Sequence, residues 1–168
     1  MGRLTVADYR AAEKLPLVVV LDNVRSQHNV GAVFRTADAM RIERVDLCGI
    51  CCCPPNQELH KTALGAEETV EWRYFKDTLE AVRALQADGY TVYAVEQAHD
   101  ASTLEEIAEQ ATGKIAVVLG HEVFGVQQEV VDACDGCIEI PQYGTKHSMN
   151  VSVTAGIVMY RLSEALRS

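Results

Sequence analysis

The stretch Leu17-Val18-Val19-Val20-Leu21 is apolar and mostly β-branched at every position. A strand with one wet face alternates apolar and polar residues, so a continuous run of this kind suits a strand covered on both faces. Five more runs of similar character follow at Val45–Cys48, Val70–Tyr74, Thr91–Glu96, Ile115–Leu119 and Cys137–Ile140. Helical patterns lie between most of them. Asp77-Thr-Leu-Glu80 reads as a capping box ahead of Leu79, Val82 and Leu85, with Gly89 as the stop, and Ser102-Thr-Leu-Glu105 opens another helix. Alternation of strand and helix predicts an α/β domain with a mainly parallel sheet flanked by helices. The 168 residues fit one domain spanning 1–168, with a short leading helix in the first fifteen residues and no repeat or linker.

No apolar run approaches the roughly 20 residues that span a bilayer, and no signal peptide or acylation motif is present, which predicts a cytoplasmic protein without a membrane partner. The six cysteines are Cys48, Cys51, Cys52, Cys53, Cys134 and Cys137. Three adjacent cysteines cannot easily converge on one ion and a single C-x-x-C is weak, so they read as small buried hydrophobes rather than as a zinc site. Charge is uneven. The net charge is −9. Residues 1–50 contribute +1, residues 51–139 contribute −12 and residues 140–168 contribute +2. A broad basic surface for nucleic acid is thereby excluded, while a small basic site at the chain's two ends is not.

Three polar clusters each follow a strand, where open α/β sheets bind ligands. The first runs from Asp22 to Asp38; Asn29 suits a helix N-cap, Gly31 and Ala32 keep the first turn bare, and Arg35 lies under two turns along, able to point back toward the strand ends or to pair with Asp38 or Asp22. The second, Gly120-His-Glu-Val-Phe-Gly125, matches neither a phosphate loop nor a metal-binding H-E-x-x-H pattern. The third runs from Ile138 through Pro141, Lys146 and His147 to Ser148 and Asn150, which begin a last helix that Ser148 would cap. That helix places Val151, Ala155, Val158, Met159, Leu162 and Leu166 on one face, a stripe that suits core packing or a subunit interface.

Together the clusters resemble the SpoU (TrmH-like) branch of the SPOUT RNA methyltransferases. N-x-G-A-x-x-R-T-A is present as Asn29–Ala37, G-x-E-x-x-G-V as Gly120–Val126 with I-P-x-x-G at Ile140–Gly144, and S-[LM]-N-V-S-V-x-x-G as Ser148–Gly156. The likeness runs from about residue 16 to the C-terminus, without an added RNA-binding domain. It implies an α/β knot with a C-terminal trefoil, a homodimer with the site near the subunit interface, and S-adenosyl-L-methionine as cofactor. The implied reaction is methyl transfer to a ribose 2′-hydroxyl of RNA, with tRNA favoured over ribosomal RNA and no metal required.

By the same match, Arg35, Asn29, Glu122, Ser148 and Asn150 form the catalytic set. Arg35 is a poor general base, since arginine stays protonated, so stabilisation of the developing alkoxide is the favoured role. Cofactor contacts are expected from Glu96, Leu119, Gly120, Ile140, Gln142, Ser148 and Met149. His28 and His147 adjoin the motifs, and histidine is a common general acid or base, but neither belongs to the implied set. A non-catalytic binder of RNA or S-adenosylmethionine would be expected to lose Arg35 or Asn29, and both are kept.

Overall fold

The computed structural model describes residues 2–168 and begins with the short leading helix α1 (Val6–Ala11). Its sheet contains β1 (Leu15–Asp22), β2 (Ile42–Cys48), β3 (Trp72–Phe75), β4 (Thr91–Val95), β5 (Ser102–Thr103), β6 (Ile115–Gly120) and β7 (Gly136–Glu139). All pairings are parallel, in the order β3-β2-β1-β6-β4-β7-β5. Successive side chains of a strand point to opposite faces, so β1 feeds two cores. Leu17, Val19 and Leu21 join the layer built with α2 (Gln27–Met40), α3 (Gln57–Ala63), α6 (Leu104–Glu109) and α8 (Val151–Arg167). Val18 and Val20 join the layer built with α5 (Thr78–Ala87) and α7 (Gln128–Ala133). Burial of Leu17 through Leu21 is complete, which is why the run has no polar position.

All six apolar runs form strands, with shifted ends: Val70 closes the short helix α4 (Ala66–Thr69), and the third strand starts at Trp72. Three capping expectations change. Ser102 does not open a helix; it lies in the two-residue β5, and Thr103 caps α6 by accepting from the Glu106 N–H. Asn29 is not an N-cap. Ser26 fills that position, accepting from the Asn29 N–H at 3.1 Å, and the Asn29 side chain is left free for other partners. Ser148 is not a cap either, because Asn150 accepts from the Ser152 and Val153 N–H groups.

The inward face of α8 is core: Val151, Ala155, Val158, Met159 and Leu162 are buried, and Leu166 packs against them. Its outward face bears Val153, Gly156, Ile157 and Tyr160, the three apolar side chains exposed. Arg161 forks onto Glu105 at 2.7 and 2.8 Å and ties α8 to α6. No helix among the described residues is long and apolar enough to cross a membrane.

Where α2 crosses α3, Gly31 is a steric requirement. A Cβ there would overlap the Leu59 carbonyl oxygen and the Thr62 hydroxyl, which itself donates to the His28 carbonyl at 2.8 Å. Although alanine is the better helix former, Gly31→Ala is expected to lower stability by about 1–3 kcal/mol through this overpacking. Urea denaturation checks it; a neutral or stabilising result would refute the close approach.

Candidate functional site

Strand order reverses between β1 and β6, which places a crevice at the carboxyl ends of the strands. A cleft of about 220 Å³ opens there. Val95 and Glu96 line it from the end of β4, Leu119 and Gly120 from β6, and Ile138, Glu139 and Ile140 from β7. The loop into α8 adds Gln142, His147, Ser148 and Met149. All seven residues expected to contact a cofactor therefore border one cavity. Its walls combine aliphatic side chains with three carboxylates, Glu96, Glu122 and Glu139, and neither Lys nor Arg lines it. Such a lining suits a ligand with an apolar body and positive charge, and repels a phosphate.

The turn after β6 is fixed from several sides. Gly120 and Gly125 face each other so closely that a Cβ on Gly120 would overlap the Gly125–Val126 peptide. His121 and Gly125 exchange backbone hydrogen bonds at 3.0 and 2.9 Å. Within this hairpin, His121 Nδ1 accepts from the Val123 and Phe124 N–H groups at 3.0 and 3.3 Å. That geometry assigns the ring proton to Nε2. Glu96 accepts from the Val126 N–H at 3.0 Å and lies against Gly125, where φ is +70° and a side chain would meet the carboxylate. Glu96 thus shapes the turn in addition to lining the cleft. Asp22, fully buried, holds the turn's exit by accepting from the Gln127 N–H at 2.9 Å, and also accepts from Thr78 Oγ1 at 2.6 Å and Asn23 Nδ2 at 3.0 Å. The sequence offers Asp22 as a partner for Arg35, whereas the structure commits it to the turn; its position at a β-strand's carboxyl end is the signal for that role.

A hydrogen-bonded chain joins the three distant segments. Glu122 accepts from the Arg25 N–H at 3.1 Å and the Ser26 N–H at 2.9 Å, while Asn29 Nδ2 reaches Glu122 Oε1 at 3.5 Å. Asn150 Nδ2 then donates to Asn29 Oδ1 at 3.3 Å. Burial alone would raise the Glu122 carboxyl, but the N–H groups of Ser26, Glu122 itself and Arg25, with the Asn29 amide, outweigh it and hold the acid below its ordinary range. Asn29, Glu122 and Asn150 are thereby brought together, with Ser148 on the adjoining cleft wall.

Arg35 is the exception. It is exposed on α2, is not among the cleft-lining residues, and pairs with neither Asp22 nor Asp38. Among the described residues, the side chains of Arg25, Arg35 and Lys146 make no ion pair or hydrogen bond and face solvent. His147 borders the cleft, whereas His28 is engaged by Glu58 at 2.8 Å outside it. Residues that sequence reasoning did not assign to the cleft include Gln97, His121, Phe124 and Thr154. Cys51 has a structural role: its Sγ donates to the Leu21 carbonyl and accepts from the Val24 N–H, and burial pushes its thiol up to about 11.

The family model described as the SpoU rRNA Methylase family matches residues 16–160. The chain is 35% identical over 144 residues to the tRNA (guanosine(18)-2'-O)-methyltransferase of Thermus thermophilus, covering 86% of this chain and 72% of that protein. It is 36% identical over 160 residues to the 23S rRNA (guanosine-2'-O-)-methyltransferase RlmB of Vibrio cholerae, covering 95% of this chain and 62% of that one. Among solved structures, an A. aeolicus TrmH/SpoU tRNA modifying enzyme superposes with a TM-score of 0.84 at 24% identity, over 96% of this chain and 82% of the other. The AdoMet-bound rRNA methyltransferase of Sinorhizobium meliloti does so at 0.83 and 24%, over 95% and 61%.

The Glu122 clamp has a pH signature. Because its folded pKa is depressed, its stabilisation is present above the unfolded value of 4.5 and is lost as pH falls through the lower folded value. Glu122→Gln should therefore be less stable than the wild type at pH 7, with the difference shrinking below pH of about 4.5. Denaturation at pH 7 and pH 3 measures it; an equal gap at both would sink the ionic clamp.

Proposed function

The chain belongs to the SpoU rRNA methylase family, and from that membership we propose that it transfers a methyl group from S-adenosyl-L-methionine to a ribose 2′-hydroxyl of RNA. The observation that supports this most directly is the hydrogen-bonded chain Asn150–Asn29–Glu122 at the rim of a carboxylate-lined cleft without Lys or Arg. When bound, S-adenosylmethionine supplies an electrophilic methyl on a sulfonium centre. The aliphatic walls at Leu119, Ile138 and Ile140 suit adenine, and the carboxylates suit the cationic end. Backbone groups at Leu119, Gly120, Ile140 and Met149, with Gln142, Ser148 and Glu96, are the proposed holders.

In this reading Asn29 and Asn150 orient the ribose, with Glu122 fixing Asn29. Ser148 adjoins the point where cofactor and substrate meet. Alignment for in-line attack supplies much of the acceleration. With S-adenosylmethionine bound there, the ribose oxygen would take its methyl group and leave the neutral thioether, and the hydroxyl proton would pass to an RNA phosphate or to water. Arg35 stabilises the oxygen that loses that proton.

Since Arg35 does not line its own chain's cleft, it acts in a homodimer, at the site of a second copy. The outward face of α8 supports such an assembly. Gly156 has nothing near its Cβ position, and a mid-helix glycine costs about 1 kcal/mol against alanine, a cost that close approach of another chain would explain. Val153, Ile157 and Tyr160 surround it. We include the trefoil threading of the C-terminal segment and a cytoplasmic location in this reading; free thiols at all six cysteines fit a reducing compartment. We favour tRNA as substrate, a reading supported by the T. thermophilus relative at 35% identity. Ribosomal RNA is the second reading, supported by the V. cholerae relative.

Incubation with tritiated S-adenosylmethionine and unfractionated RNA should label RNA at ribose. Alkaline hydrolysis then leaves a labelled dinucleotide, and mass spectrometry maps the nucleotide; label on a base would refute ribose transfer. Arg35→Ala should cut transfer about 100- to 1,000-fold while sparing S-adenosylmethionine binding; unchanged turnover would remove it from the catalytic set. Ile157→Glu should yield monomers by sedimentation; an intact dimer would place the interface elsewhere.

A further inference from the structure

Phe124 is 83% exposed and Val123 78%, both at the apex of the turn after β6. An exposed phenylalanine on a loose loop would mean little. This one is held. The His121–Gly125 backbone pair closes the turn, His121 Nδ1 binds the Val123 and Phe124 N–H groups, and Glu96 pins the exit at Val126. The His121 ring also stacks on Phe124, with centroids 4.9 Å apart and planes at 29°. The result is a rigid two-ring stack at the mouth of the cleft, with one aromatic face open to solvent.

We propose that the Phe124–His121 pair is a stacking platform for an unpaired base of the RNA, either that of the methylated nucleotide or its neighbour. This rests on the activity proposed above. A 2′-hydroxyl that reaches the cleft carries its base on the adjacent ribose carbon, so that base must lie at the cleft's rim, where Phe124 stands. A nucleobase is flat and neutral, so the carboxylates in the cleft do not repel it. The unpaired cations Arg25 and Lys146, on segments flanking the cleft, are available for its phosphates. Stacking tolerates any base, so this platform adds affinity and orientation without naming the nucleotide.

The test uses the full chain. Phe124→Trp in a Trp72→Phe background puts the sole indole at the apex. Its fluorescence should be quenched by unfractionated tRNA and by deca-adenylate, and not by an abasic ribose-phosphate oligomer of equal length. Phe124→Ala should raise KM for RNA about 10-fold, Phe124→Leu should behave like it, and Phe124→Trp should restore the wild-type value. S-adenosylmethionine affinity by calorimetry should not change. Equal quenching by the abasic oligomer, or an unchanged KM in Phe124→Ala, overturns the platform. Weakened S-adenosylmethionine binding with RNA unaffected would assign the ring to the cofactor, and loss of the dimer would assign it to a second copy; either also overturns it. If the wild type transfers no methyl group, the proposed activity falls, while base-dependent quenching still decides the platform.

Discussion

The buried carboxylate of Asp22 organises the functional end of this fold. A fully buried carboxylate is tolerated only when its oxygens are satisfied. Here the donors come from three places: Asn23 beside it, Thr78 at the start of α5, and the Gln127 N–H ahead of α7. One side chain therefore ties the end of β1 to a helix on one layer and to the exit of the cleft-forming turn. The strand's next residue continues the arrangement. Asn23 takes a left-handed backbone, φ 56°, and its Oδ1 accepts from the Ile50 N–H at 3.0 Å beside Gly49, where no Cβ would fit. The chain leaves β1 in the direction that presents the Arg25 and Ser26 N–H groups to Glu122.

From that anchor the three motif segments become parts of one object. Ser26 caps α2, which frees the Asn29 amide; the freed amide bridges Glu122 and Asn150. Gly120 and Gly125 let the intervening turn fold tightly on itself, and Glu96 fills the space that a side chain at Gly125 would need. The glycine, glutamate and asparagine positions of the motifs thus answer to geometry as well as chemistry. A substitution at Gly120 would move Glu122 without touching it.

The sheet was legible because its signal is local. The β1 run has no polar residue, and only a doubly covered strand explains that. Two-residue β5 carries no periodicity and is set by pairing with β7, so Ser102 reads as a helix opener. Caps misled for a related reason: Ser26, Asn29, Ser148 and Asn150 are all competent acceptors, and which one caps depends on where the chain enters the helix. The clustering of cleft residues was accessible only through the motif resemblance. The bracing role of Asp22 was hidden because its donors, Thr78 and the Gln127 N–H, lie 56 and 105 residues away in sequence. Phe124 was hidden because a lone aromatic in a turn has no pattern, and its exposure is a tertiary fact.

The net charge of −9 poses the remaining physical problem, since the two proposed ligands want opposite environments. A sulfonium-bearing cofactor favours carboxylates, and an RNA phosphate favours cations. The chain separates the two demands in space. Two of the cleft carboxylates are braced by backbone N–H groups: Glu122 by Arg25 and Ser26, Glu96 by Val126. Arg25, Arg35 and Lys146 remain unpaired outside the cleft. At physiological salt an exposed charge is screened over about 8–10 Å, which weakens the repulsion that acidic residues exert on a polyanion. Three cations on or beside the motif segments are still few for a polyanion, and counterion release scales with the phosphates neutralised. On the proposed activity, affinity would draw on terms that salt does not screen, namely stacking and shape, and the proposed second copy would add its own cations. If the proposed activity holds, an acidic body of this kind would discriminate against nucleic acid in general and favour an RNA whose shape brings its phosphates to the cations outside the cleft.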